Sequence, residues 1–144
     1  MKPVKISDLG SETNALYSGA VAARENSYSP YSHCKVGAAF RTSRGQTHAG
    51  CNVENSSYGA TVCAERVAIQ SAVAAGGKPE IEEMVVVTDA SPPWPPCGMC
   101  RQVISEFSKP ELKITIANLK GEALQFKLKD LFPHAFTPDF LADT

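Results

Sequence analysis

Between residues 36 and 128 the chain alternates short apolar runs with helix-forming stretches, and that alternation constrains its fold more than any other feature. Residues 36–42 and 46–53 read as two strands joined at Ser43-Arg44-Gly45, a hairpin. Residues 62–73 are rich in helix formers, nearly free of charge beyond Arg66, and stop at Gly76-Gly77, which predicts a buried helix. Residues 84–88 suit an interior strand and 100–107 a short helix ended by Lys109-Pro110. Residues 112–117 and 123–128 suit two further strands. Upstream, Ser11-Glu12 followed by Leu16, Ala20, Val21 and Ala23 predicts a first helix ending near Asn26, before the turn chemistry of Ser27-Tyr28-Ser29-Pro30. This order predicts a layered α/β sheet with helices on its faces.

The 144 residues are enough for one domain, and nothing in the chain reads as a linker or repeat. The 14 basic and 15 acidic side chains leave a net charge of -1. That balance argues against a polynucleotide-coating protein and against a polybasic membrane binder. Met1-Lys2-Pro3-Val4-Lys5 has no apolar core of a signal peptide, and no stretch approaches the roughly 20 apolar residues that span a bilayer, so a cytoplasmic protein is expected.

In a reducing compartment an odd set of five cysteines points to metal binding or catalysis rather than to disulfides. Cys63-Ala64-Glu65 lies at one predicted helix start and Cys97-Gly98-Met99-Cys100 at another. Three thiolates supply three corners of a zinc tetrahedron, and no fourth Cys or His stands at structural-finger spacing, so the last corner is open to water. Helix N-termini favour thiolates over thiols. Zinc with three thiolates carries a formal charge of -1, so activating water there calls for a compensating cation, Arg66 or Arg101, and a base, Glu65.

This constellation resembles the zinc nucleoside deaminases, and within them the small homotetrameric cytidine deaminases. The similarity runs from about residue 28 to 136, through Tyr28-Ser29-Pro30-Tyr31-Ser32, Val36-Gly37-Ala38-Ala39, Gly50-Cys51-Asn52-Val53-Glu54-Asn55, Tyr58, Cys63-Ala64-Glu65-Arg66 and Cys97-Gly98-Met99-Cys100-Arg101-Gln102-Val103. The resemblance implies a single three-layer α/β/α domain over residues 1–144, with a mixed five-stranded sheet and helices on both faces.

It also implies the chemistry. Cys63, Cys97 and Cys100 bind one zinc ion per subunit, and Glu65 carries the water proton to N3 of the cytosine ring and then to the leaving ammonia. Cytidine and deoxycytidine become uridine and deoxyuridine, a step of pyrimidine salvage. Asn52 and Glu54 match the pair that holds the ribose; two apart on an extended segment, they point the same way. Ala64 matches a backbone contact to the pyrimidine, and Arg66 the arginine that donates to the cysteine sulfurs. Ser56, Tyr58 and Phe136 match residues lent to a neighbour's site in a homotetramer with shared active sites. One departure stands out: Cys34 occupies a position where the family commonly has Phe against the base, which predicts a roomier pocket open to N4- or C5-substituted cytidines.

Plainer readings accompany these. Cys34 and Cys51 can be small buried residues, and His33, His48 and His134 surface or loop residues. Trp94 and its prolines stiffen a loop, with a pocket contact for Trp94 as the alternative. Three rivals stand beside the nucleoside deaminase: a zinc-stabilised binding module, a thiol–disulfide oxidoreductase using Cys97 and Cys100, and an aminonucleoside-antibiotic deaminase.

Overall fold

A computed structural model describes residues 2–142; residues 1, 143 and 144 of the expected domain lie outside the described residues. In chain order the elements are β1 (Val4–Lys5), α1 (Ser11–Arg24), β2 (Gly37–Thr42), β3 (Thr47–Cys51), α2 (Ala64–Gly76), β4 (Ile81–Thr88), α3 (Gly98–Glu106), β5 (Ser108–Asn118), β6 (Glu122–Lys127) and α4 (Leu128–Leu131). The strands form a mixed sheet in the order β1-β6-β5-β4-β2-β3.

Side-chain alternation along the central strands builds two cores. Met84 and Val86 of β4, with Ile114 and Ile116 of β5, pack under α2 and α3 against Ala68, Ile69 and Ile104. Val85 and Val87 point the other way, onto Leu16 and Ala20 of α1. Two glycines permit the closest approaches. A Cβ on Gly37 would lie 1.9 Å from the Ala20 carbonyl of α1, and one on Gly50 would lie 2.5 Å from the Ala68 nitrogen of α2.

The sheet's directions position the site. β2 is antiparallel to both β3 and β4, while β4 and β5 are parallel, so β3, β4 and β5 run the same way. The helices that follow β3 and β4 therefore both start at the carboxyl edge of the sheet, where ligands of open α/β sheets gather.

Three expectations are corrected. The sheet has six strands rather than five among the described residues, because β1 is only two exposed residues long and shows no periodicity. The strand expected at 84–88 starts at Ile81, its polar Glu83 being buried and neutralised by Lys113 at 2.8 Å and Arg41 at 3.5 Å. The helix expected to be buried hides one face only; Gln70, Ser71 and Val73 are exposed.

Candidate active site

Cys63 is the N-cap of α2 and Cys97 the N-cap of α3, with Cys100 in the first turn of α3. The convergence of the two helix starts brings the three sulfurs within 4.8 Å of one another, and no fourth His, Cys, Asp or Glu joins them within that distance among the described residues. Zn–S bonds of about 2.3 Å at tetrahedral angles set sulfurs about 3.8 Å apart. The Cys63 and Cys97 sulfurs are 3.8 Å apart. The donor set thus fits zinc, held by Cys63, Cys97 and Cys100.

The thiols are electrostatically unequal. A hydrogen bond from the Cys100 thiol, then one from Arg66, holds Cys63 down at about 5, against the effect of burial. Cys100 is pushed up in turn, by its hydrogen bond to Cys63 and then by burial. Arg66 Nη2 reaches the Cys63 sulfur at 3.6 Å. Arg101, the other expected compensator, does not take that role. Its Nε donates to Pro96 O at 2.8 Å and its Nη1 to Leu131 O at 2.5 Å, which fixes the loop that enters α3.

Glu65 is buried in the first turn of α2. Burial lifts its carboxyl to about 7, opposed by a hydrogen bond from its own backbone and reinforced by Cys63. A carboxyl poised there can take and return a proton near neutral pH.

Asn52 and Glu54 flank Val53, which bridges to Tyr28 and Val62, and both side chains meet the loop of residues 27–36. Asn52 Nδ2 donates to Cys34 O at 2.8 Å, while its Oδ1 accepts from Ser27 Oγ and from Val36 N. Glu54 Oε1 accepts from Tyr31 N at 3.0 Å and Ser32 N at 3.1 Å, and its Oε2 from Ser32 Oγ at 2.5 Å. The Ser32 hydroxyl, then its backbone N–H, holds the Glu54 carboxyl below the usual range.

Elsewhere the expected residues sit as follows. Ala64 is fully buried at the first position of α2. Ser56 is exposed, as is Tyr58, at 75% exposure, edge-on to Tyr31 with ring centres 5.7 Å apart. Phe136 is exposed and stacks on Phe140, and its carbonyl accepts from Gln102 Nε2 of α3 at 2.9 Å. Cys34 and Cys51 are half-buried rather than buried, and His48 lies in β3 against Phe40 rather than in a loop. Sequence reasoning missed Ser27 and Ser32 as the partners of Asn52 and Glu54; the place of Ser32 in the Tyr28-Ser29-Pro30-Tyr31-Ser32 block, with Ser27 directly before it, was the available signal.

The model of the cytidine and deoxycytidylate deaminase zinc-binding region matches residues 11–116. The chain belongs to the cytidine and deoxycytidylate deaminase family. It is 41% identical over 124 residues to a cytidine deaminase of Halalkalibacterium halodurans, covering 86% of this chain and 93% of that one. It is 42% identical over 120 residues to a cytidine deaminase of Sporosarcina psychrophila, covering 83% and 88% respectively. The crystal structure of a cytidine deaminase from Burkholderia pseudomallei superposes with a TM-score of 0.81 at 48% identity, covering 85% of this chain and 98% of that one. Among the described residues no helix is long and apolar enough to cross a membrane.

Proposed function

We propose that this deaminase-family chain is a zinc-dependent hydrolase that converts cytidine and 2'-deoxycytidine, with water, to uridine and 2'-deoxyuridine and ammonia. The observation that carries the reading is the buried Glu65 beside three sulfurs spaced for zinc. The ion supplies Lewis-acid activation of water. Glu65 would take one proton from water and give it to N3 as the oxygen bonds to C4, then take the second proton from the new C4 hydroxyl and give it to the amino group, which leaves as ammonia when the C4–N4 bond breaks. Arg66 offsets the negative charge of the sulfurs.

Asn52 and Glu54 are assigned to the sugar. Their existing hydrogen bonds leave one Nδ2 hydrogen on Asn52 and one lone-pair site on Glu54 for ribose hydroxyls. The backbone N–H of Ala64 at the start of α2 has no partner within the helix and is assigned to the pyrimidine. Cys34 leaves room beside the base for substituted cytidines. The exposed Ser56, Tyr58 and Phe136 are assigned to a neighbouring subunit's site in a homotetramer of single-domain subunits, each holding one zinc. Five free cysteines suit the reducing cytoplasm, where the reaction would serve pyrimidine salvage.

The test follows cytidine, deoxycytidine and an N4-substituted cytidine with zinc-loaded protein, with Glu65→Gln as the matched control. The reading expects turnover that falls by about two to four orders of magnitude in the variant while zinc stays bound. No turnover by the parent, or full turnover in the variant, would overturn it.

A further inference from the structure

A cavity of about 300 Å³ takes no part in the chemistry above; Cys34, Thr88, Ala90 and Trp94 form one part of its wall, and the polar Arg24, His33, Lys35 and Asp89 the rest. Two connections tie it to the site. The Cys34 carbonyl accepts from Asn52 at 2.8 Å, and Trp94 stands three residues before Cys97. The loop bearing Trp94 is pinned along its length. Asn118 Nδ2 donates to Ala90 O at 3.2 Å, Ser91 Oγ donates to Glu122 at 2.7 Å, and Pro93 and Pro96 are buried on either side of the tryptophan. The indole itself is 50% exposed. A large apolar ring held half in water by a fixed loop offers a face on which an apolar group can stack.

None of Cys63, Glu65, Cys97 and Cys100 lines this cavity. A group reaching it from the base would therefore be carried away from the reacting C4–N4 bond, and C5 is the ring carbon adjacent to C4. We propose that Trp94, together with Cys34, is a specificity determinant that forms a subsite for a substituent on C5 of the cytosine ring. The proposal rests on the reading of the chain as a cytidine deaminase. The C5 hydrogen of cytidine leaves the subsite to water, whereas a methyl group or a halogen displaces that water and contacts the indole face.

Trp94 is the single tryptophan, so its emission reports on this position alone. Zinc-loaded full-length protein carrying Glu65→Gln is titrated with cytidine and with 5-iodocytidine, whose iodine quenches indole emission at close range. Saturable quenching by the iodo compound well beyond that by cytidine is expected, and Cys34→Phe in the same background should weaken it. In the active enzyme, Trp94→Ala and Cys34→Phe should each lower the ratio of kcat/KM for 5-iodocytidine to that for cytidine by about tenfold, with Trp94→Phe recovering part of the loss. Equal quenching by the two nucleosides, or an unchanged ratio in both variants, would overturn the subsite. If cytidine is still deaminated in that case, only the subsite is lost; if the parent deaminates no cytidine, the underlying reading falls as well.

Discussion

Arg66 Nη2 lies 3.6 Å from the Cys63 sulfur, one helical turn further along α2, and its second contact is the Thr61 carbonyl at 3.4 Å. The same arginine thus caps the loop entering the helix and neutralises the ligand at its start. Replacing it with Gln removes the charge and leaves a single amide NH2 on a shorter side chain in place of the guanidinium's five donors. Arg66→Gln should lower kcat or zinc affinity by about 10- to 100-fold, read from steady-state kinetics beside zinc stoichiometry.

Glu54 is held ionised by three donors from Tyr31 and Ser32. Its carboxyl lies below the usual range, so the charged form persists above that range and is lost only as pH falls through the lowered value. A profile of kcat/KM should therefore show no limb from Glu54 near neutrality. Glu54→Gln should raise KM for cytidine by about 10- to 100-fold, through the lost acceptor and a loosened 31–32 loop.

Glu83 is the charged group most deeply set into the sheet, 2% exposed, with Thr13 Oγ1 donating to it at 2.5 Å and Lys113 at 2.8 Å. Burial alone would raise its pKa, but Lys113 and Thr13 outweigh burial and lower it. Its contribution to stability is thus present above the unfolded-state value of about 4.3 and fades as pH falls through the lower folded-state value. Glu83→Gln should cost about 1–3 kcal/mol at neutral pH, and its melting curve should approach that of the parent in acid.

Shared sites make a prediction about mixtures. If Phe136 serves a neighbour, Phe136→Ala and Glu65→Gln subunits are each deficient, yet a hybrid can assemble one complete site. Mixing the two after reversible dissociation should restore activity above the sum of the separate proteins. Additive activity would place Phe136 in its own subunit's packing.

The interior strands were legible in the sequence because Val85, Val86, Ile114 and Ile116 form apolar runs that need cover on both faces. The helix starts were legible because Cys63 and Cys97 stand just before helix-forming runs. What escaped depended on distant partners. Glu83 looked like a strand boundary until Lys113 and Arg41 met it across the sheet. Pro110 looked like a helix stop, yet it lies within β5, in the irregular stretch between the Ile81–Ser108 and Glu83–Lys113 pairs. Arg101 looked equivalent to Arg66, but Leu131, 30 residues later, supplies the carbonyl that takes its guanidinium.

The shared direction of β3, β4 and β5 also has a mechanical side. α2 lies over the edge strand β3, whereas α3 packs on β5, with β2 and β4 in between. An ion gripped by the starts of both helices braces the edge of the sheet against its middle. The apolar layer of Ile69, Ile104 and Ile114 stands without that brace. A chelator should therefore leave a folded protein whose two helix tips fray independently, with faster amide exchange at Ala64 and Gly98 than at Ile69 and Ile104.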